Sequence, residues 1–195
     1  MIVDWEERYR TGEAPWERGT LHPAFRHWRE QGAFDGLGRV LVPGAGRAPE
    51  PLAFARLGVS PTVVDLAPSA IGHQERAFAG AGLAGDFILS DLLAYVPAEP
   101  FDAVYDQTAM CALEPALWPE YARQLARWVR PGGRLFALLL QRPEVDGKGP
   151  PYHQDVAAMR GLLGAPDWTW ESAAPVIRVP HPAGFVELGF VLRRN

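Results

Sequence analysis

Three kinds of residue in this chain could do chemistry: glycines at a strand exit, acids at strand ends, and aromatics near the start. Gly44 and Gly46 lie in Val42-Pro-Gly-Ala-Gly-Arg47, and Asp65 closes the run Thr62-Val-Val-Asp65. Glycine lets a backbone turn tightly and come close to a ligand. An acid about 20 residues further on, at the end of the next strand, can accept both hydroxyls of a ribose; Asp65 follows Gly46 by 19 residues. The dinucleotide pattern Gly-x-Gly-x-x-Gly is not completed, because Arg47, Ala48 and Pro49 follow Gly46. A pyrophosphate would lack the close helix approach that the third glycine gives. The ligand expected is therefore a nucleoside without phosphates, of which S-adenosylmethionine is the common one. A tight strand-to-helix turn with no ligand is the plain alternative.

Other acids stand at strand exits too. Asp91 follows a short apolar run and could accept a hydrogen bond from an adenine amino group, or simply cap a turn. Asp106 and Gln107 end the run Phe101-Asp-Ala-Val-Tyr-Asp-Gln107. In an open α/β sheet such ends face the ligand, although a structural cap is an equal reading of Asp106. Trp5 and Tyr9, four apart, share a helix face, and Trp16 follows in a loop. They either pack an N-terminal arm onto the domain or form an aromatic lid. A sulfonium is a cation and is attracted to such faces.

The elements that would position these residues are read from periodicity and punctuation. Helices are expected over 4–10 (Asp4 as N-cap, Gly12 past the end), 22–31, from the glycine turn to Leu57, 68–78, 115–130 and 155–163. Strands are expected at 40–42, 63–64, 87–89, 101–106 and 134–140. The stretches 168–179 and 183–192 read as an antiparallel hairpin around His181-Pro-Ala-Gly184. Strand, glycine turn, helix, strand and acid in that order make half of a nucleotide-type α/β unit.

At 195 residues the chain can bury one α/β core, and it is read as a single domain, 1–195, with an N-terminal helical arm at 1–32. A net charge of −4 gives no electrostatic case for nucleic acid. No apolar run approaches the ~20 residues of a membrane span. The start, Met1-Ile-Val-Asp-Trp-Glu-Glu, is acidic and unlike a signal peptide. Cys111 is the only cysteine, which excludes an internal disulfide and a cysteine-based zinc site, and no metal is expected. A cytoplasmic setting and a monomer are the default expectations.

Taken together, these motifs resemble the thiopurine and thiol S-methyltransferase family, most of all its halide/thiocyanate/thiol branch. The matching stretches are Trp5-Glu-Glu-Arg-Tyr-Arg-x-Gly-x-x-Pro-Trp16, Val42-Pro-Gly-x-Gly46, Val64-Asp65, Phe101-Asp-x-x-Tyr-Asp-x-x-x-x-Cys-Ala-Leu113, Pro131-Gly-Gly133 and Gly149-Pro-Pro-Tyr152. Pro-Gly-Gly is common to many methyltransferases; the paired tryptophans with Gly-Pro-Pro-Tyr are more specific. The resemblance implies a Rossmann-like class I methyltransferase with a mixed seven-stranded sheet flanked by helices, and S-adenosylmethionine as donor. It implies that Trp5 and Trp16 contact the cofactor, with Tyr9 where a third tryptophan often sits. Gly44 and Gly46 would pass under the methionine part, Asp65 would hold the ribose, Asp91 and Leu92 would bracket the adenine, and Gln107 would line the cofactor. Tyr152 would face the acceptor. The departures are Ala45 for a cysteine, Ala48 for a third glycine, Glu50 for an aspartate, and Ala109-Met110 for two aromatics. The last should enlarge the acceptor pocket, favouring a larger thiol over halide or thiocyanate.

Methyl transfer from a sulfonium is an in-line displacement that depends on placing the nucleophile opposite the leaving sulfur. A thiol attacks as its thiolate, already present in small amounts near neutrality. Tyr152 could orient the acceptor sulfur or take its proton. Asp106 is a second candidate, although a carboxylate repels a thiolate. His153, beside Tyr152, could serve as a base or lie in a solvent-facing loop. Cys111 is expected to pack in the core. An O- or N-methyltransferase on the same scaffold, and a non-catalytic cofactor-binding protein, remain as alternatives.

Overall fold

The apolar run after Arg39 forms strand β1 (Arg39–Pro43) in the computed structural model, which describes residues 3–181 and 184–195. The backbone divides into two units, Met1–Val96 and Pro97–Asn195. In the first, β2 (Ser60–Asp65) pairs in parallel with β1 on one side and with β3 (Asp86–Leu89) on the other. Parallel neighbours need a crossover, usually a helix. Helix α3 (Glu50–Arg56) links β1 to β2, and α4 (Pro68–Ala81) links β2 to β3. Val40, Leu41, Val63 and Val64 are fully buried, as strands covered on both faces must be.

Helix ends follow local chemistry. In α1 (Trp5–Thr11) the Asp4 carboxylate accepts from the Glu7 N–H at 2.9 Å, and Gly12 closes the helix in the left-handed region. Helix α2 (Pro23–Glu30) is capped by His22, whose Nδ1 accepts from the Ala24 N–H at 3.1 Å. Its Phe25 packs with Phe34 and Phe54, ring centroids 4.8–4.9 Å apart, and this aromatic trio anchors α2 against α3. Pro51 falls in the first turn of α3, where backbone N–H groups have no helical partner to lose.

The second unit runs β4 (Phe101–Asp106), α5 (Ala109–Ala112), a 3-10 turn at Pro115–Leu117, α6 (Trp118–Trp128), β5 (Val129–Gln141), α7 (Val156–Leu162), β6 (Trp168–Trp170), β7 (Ile177–Pro180) and β8 (Val186–Arg194). β4 and β5 are parallel; β8 is antiparallel to β5, with Arg134 opposite Arg193 and Gln141 opposite Val186. β6 and β7 lie end to end along the other edge of β8, against 192–194 and 186–189. Counted as lanes, that is three in the first unit and four in the second, and the sheet is mixed, Rossmann-like and flanked by helices, as the resemblance implied.

Four details differ from the expectation. Strand β5, expected over 134–140, already begins at Val129 and runs through Pro131-Gly-Gly133, so the helix expected to residue 130 ends at Trp128. The helix expected over 115–130 starts at Trp118, because Pro119 has no N–H with which to continue the preceding turn. The strand expected over 168–179 is two strands, interrupted where Ser172 Oγ donates to the Ala174 carbonyl and Pro175 follows. Helix α5 was not expected; its four residues are too few to show a period. The turn expected around His181-Pro-Ala-Gly184 falls in part on Pro182 and Ala183, which lie outside the described residues, as do Met1 and Ile2 of the N-terminal reading. Among the described residues no helix is long and apolar enough to cross a membrane.

At Pro131-Gly-Gly133 the register between β4 and β5 jumps: Phe101 pairs with Val129, Ala103 with Arg134. A methyl group on Gly133 would stand 2.6 Å from the Asp102 carbonyl and 2.9 Å from that of Arg130. Backbone atoms cannot yield as a flexible side chain does. Gly133→Ala is expected to cost about 2 kcal/mol, as overpacking does, read as a lowered urea midpoint at unchanged slope.

Candidate active site

The turn after β1 is built by two backbone positions that only glycine adopts easily: Gly44 at φ 55° and Gly46 at φ 54°. The Gly44 N–H donates to the Val64 carbonyl at 2.8 Å, tying the turn to β2. Asp65, at the end of β2, is buried, and its carboxylate holds the same turn. Oδ2 accepts from the Gly46 N–H at 2.8 Å and Oδ1 from the Ala67 N–H at 2.9 Å. Burial pushes this carboxyl above its usual range, opposed by the Ala67 and Gly46 donors. The Leu66 N–H acts on the carboxylate in the same sense, and a carboxylate offers about four lone-pair sites, so these donors do not fill it. On the other side Gln74, buried on α4, donates Nε2 to the carbonyls of Gly46 and Ala48, each at 2.9 Å. Glu50 is buried as well: Oε1 accepts from the His22 N–H at 2.6 Å, while Oε2 has no partner among the described residues. Burial raises its carboxyl above the usual range.

The N-terminal arm lies on this loop. Tyr9, Ala67 and Ala70 form a buried cluster against which Trp5, Ala14 and Trp16 pack. Trp16 meets Trp5 and Tyr9 edge to face, with centroids 5.5 and 5.8 Å apart, and its Nε1 donates to the Tyr9 hydroxyl at 3.3 Å. A methyl group at Gly46 would run into that hydroxyl, so the third glycine-loop function is steric: it leaves room for Tyr9. Burial raises the Tyr9 phenol above its usual range, with Asp65 adding to the effect. The Glu6 carboxylate accepts from both N–H and Oγ of Ser69 at the start of α4.

Asp91 lies exposed after β3, and its Oδ1 accepts from the Leu93 N–H at 2.8 Å in a local turn; Leu92 beside it is half-buried. Two residues that the sequence reading passed over stand here. Leu66, directly after Asp65, is 53% exposed, and Leu89, the register partner of Asp65, is 55% exposed. An apolar residue immediately after a strand-end acid was the available signal. Gln74 was also legible in principle, as a polar residue in the Ala70, Gln74, Phe78 stripe of α4.

In the second unit, Asp106 is buried with both oxygens engaged. Oδ2 accepts from the Tyr121 hydroxyl at 2.9 Å, and Oδ1 from the N–H groups of Ala109 and Met110 at 3.1 and 3.4 Å. Ala109 and Met110 are themselves buried. Gln107 is half-buried and its Oε1 accepts from the Tyr105 hydroxyl at 3.0 Å. The Tyr152 N–H donates to the Cys111 carbonyl at 2.7 Å, and its ring closes over Gly149 where a side chain would collide. His153 accepts at Nδ1 from the Arg142 N–H at 3.0 Å. The Arg142 guanidinium donates to the carbonyls of Lys148 and Pro151, at 2.6 and 3.1 Å, pinning the Gly-Pro-Pro-Tyr loop. Cys111 is buried, its Sγ donates to the Thr108 carbonyl at 3.3 Å, and burial drives its thiol up, away from reactivity. Among the described residues no cluster of His, Cys, Asp and Glu could hold a metal ion.

Comparison with known proteins gives this geometry a family. The thiopurine S-methyltransferase family matches residues 2–176. The chain belongs to the thiopurine S-methyltransferase family. It is 32% identical over 161 residues to "Probable thiol methyltransferase 2" of Arabidopsis thaliana, covering 82% of this chain and 70% of that one. It is 28% identical over 163 residues to the thiopurine S-methyltransferase of Legionella pneumophila (strain Paris), covering 76% and 74%. Among solved structures, one from the conversion of a disulfide bond into a thioacetal group during echinomycin biosynthesis aligns with a TM-score of 0.77 at 25% identity, over 96% of this chain and 89% of that one. The 1,6-didemethyltoxoflavin-N1-methyltransferase of Burkholderia thailandensis, with S-adenosylhomocysteine bound, shares the fold with a TM-score of 0.76 at 22% identity, over 97% and 84%. Like its family, the chain is an S-adenosylmethionine-dependent methyltransferase. The first unit suits that cofactor: a tight glycine turn, a strand-end carboxylate with acceptor capacity left, an exposed leucine beside it, and aromatic rings on the arm.

The pairing of Asp106 has a measurable consequence for this family member. Burial raises its carboxyl to about 6, against the pull of Tyr121, Met110 and Ala109. The folded value lies above the unfolded one near 4, so the native state keeps a proton that the unfolded chain has lost. Its contribution is therefore present below about pH 4 and lost as pH rises through about 6, on the order of 3 kcal/mol in all. Urea unfolding of wild type and Asp106→Asn from pH 4 to 7 should show a larger loss in the wild type, the difference between the two being the Asp106 contribution, since the raised carboxyls of Asp65 and Glu50 act alike in both.

Proposed function

We propose that the chain transfers the methyl group of S-adenosylmethionine to the sulfur of a small-molecule thiol, with residues 1–195 acting as one methyltransferase domain. Family membership and relatives that bear the names thiol methyltransferase, thiocyanate methyltransferase and thiopurine S-methyltransferase support this reading. The observation that carries sulfur over oxygen is the state of two of the three groups expected to take a proton. Asp106 spends its oxygens on Tyr121, Ala109 and Met110, and His153 spends Nδ1 on the Arg142 N–H. An alcohol would need a base; a thiol is partly ionised near neutrality and needs little help.

S-adenosylmethionine supplies an electrophilic methyl group on a sulfonium. In this reading Asp65 receives the two ribose hydroxyls on its remaining lone pairs while it keeps Gly46 in place. Gly44 and Gly46 keep the turn tight beneath the methionine part. Trp5, Tyr9 and Trp16 present aromatic surface to the cation, and Asp91, Leu92 and the exposed Leu66 flank the adenine. Gln107 lines the cofactor. Tyr152, held by Cys111 and the pinned loop, orients the acceptor sulfur, and His153 steadies that loop through Arg142. The acceptor loses its thiol proton to solvent and gains the methyl carbon. Ala109 and Met110, where relatives of the resemblance carry aromatics, favour a thiol larger than thiocyanate. A monomer in the reducing cytoplasm fits a lone buried cysteine.

The test is turnover of matched thiol, phenol and amine acceptors by the purified protein, with product masses and S-adenosylhomocysteine release as readouts. The reading predicts S-methyl products, with kcat/KM rising with pH toward each thiol's own pKa. Tyr152→Phe is expected to lower kcat/KM about 10-fold, the cost of a lost positioning contact. Methylation of the phenol or amine alone would transfer the chain to the O- or N-methyl class, and no turnover of any acceptor would favour a binding protein.

A further inference from the structure

Arg47 stands directly after Gly46, yet its side chain serves a segment 38 residues earlier. Its Nη2 donates to the Tyr9 carbonyl at 3.0 Å. Its guanidinium lies 4.9 Å from the centroid of the Tyr9 ring, and its Nε is 3.8 Å from Glu17 Oε1. One planar cation thus grips the last turn of α1 by backbone and ring, and the loop after it by charge. Arginine suits this use, since it stacks on an aromatic face and donates from a fixed fork. Tyr9 in turn rests its hydroxyl against Gly46, the neighbour of Arg47, and takes the indole proton of Trp16. Arm and loop therefore form a closed ring of contacts: Gly46 to Tyr9, Tyr9 to Arg47, and Arg47 back along the chain to Gly46.

We propose that Arg47 is a positioning residue, the latch that holds the N-terminal arm shut on the glycine loop and so sets how tightly the cofactor is kept. This rests on the cofactor role of that loop. Arg47 holds one of the open positions of the glycine loop, where the pattern leaves the residue type free, and this chain places there a long cation that reaches outward. Trp5, Tyr9 and Trp16 are assembled within the same grip. With the cofactor beneath the arm, the latch slows its escape and so tightens binding. The second anchor, Glu6 on Ser69, holds the start of α1 and would keep the arm tethered when Arg47 lets go.

Two measurements on the full chain test this. The first is trypsin cleavage at Arg8, Arg10 and Arg18 in the absence of ligand, a readout of how often the arm opens. The second is calorimetric binding of S-adenosylhomocysteine. Arg47→Ala is expected to speed arm cleavage and to weaken binding, each about tenfold, as loss of a charged hydrogen bond and a stacked ring would give. Arg47→Lys keeps charge toward Glu17 but not the fork or the stacking, and should fall between. Glu17→Gln, remote from the loop backbone, should speed cleavage less than twofold, since a part-exposed pair contributes little. Unchanged cleavage in both Arg47 variants overturns the latch, whether or not binding weakens. If wild type binds no S-adenosylhomocysteine, the cofactor reading fails, and the cleavage comparison still decides the latch.

Discussion

One carboxylate holds the first unit together at its working end. Asp65 reaches from the tip of β2 to the N–H of Gly46 in the preceding turn and to the N–H of Ala67 at the entry to α4. Hydrogen bonds to a charged group are worth about 1.5–3 kcal/mol each, and more is lost if a buried partner is left bare. The glycine turn has no side chains of its own with which to hold a shape. It takes its shape from Asp65 below, Gln74 beside it and the Tyr9 hydroxyl against it. The burial of Asp65 is tolerable only because these N–H groups replace water. In the proposed reading the same carboxylate also receives a sugar, so that structure and binding would draw on one group.

Asp106 ends β4 as Asp65 ends β2, and both are buried, but their hydrogen bonds differ in kind. Asp65 accepts from two backbone groups of the turn and the helix it joins. Asp106 accepts from three donors, of which the Tyr121 hydroxyl comes from α6. It fixes the short helix α5 and ties it to α6, work that a carboxyl can do in either protonation state. A strand-end acid in such a sheet is therefore not a functional residue by position alone; the two differ in what their donors tie together, a turn to a helix entry at Asp65 and helix to helix at Asp106.

Much of this was legible in the sequence because its causes are local. Asp4, Gly12, Pro68 and Asp155 mark helix ends through a capping carboxylate, a left-handed backbone or a fixed φ, each acting within four residues. The glycine turn and Asp65 are legible through their order along the chain. Pro119 splits the helix expected over 115–130, and that too is local, yet Leu117, Tyr121, Leu125 and Trp128 keep one apolar period across the break and conceal it. The remaining surprises are pairings between distant residues. Gln74 finds the glycine loop 28 residues away, Glu50 finds His22 at the same separation, and Arg47 finds Tyr9 across 38. Spacing cannot reveal such partners, since they exist only once the strands have placed their ends together. The roles of Tyr152 and His153 were suggested by motif and by neighbourhood; the structure adds the arginine clamp that holds their loop, which no periodicity announces.

The central claim is that Asp65 shapes the loop and holds the ribose with the same carboxylate. Calorimetry of S-adenosylhomocysteine and its 2′-deoxy analogue, on wild type and on folded Asp65→Asn, tests it most directly. The account predicts micromolar binding to wild type, a loss of about tenfold or more when the hydroxyl is removed, and a variant that binds both ligands weakly and alike. Equal affinity of wild type and Asp65→Asn for S-adenosylhomocysteine would contradict it.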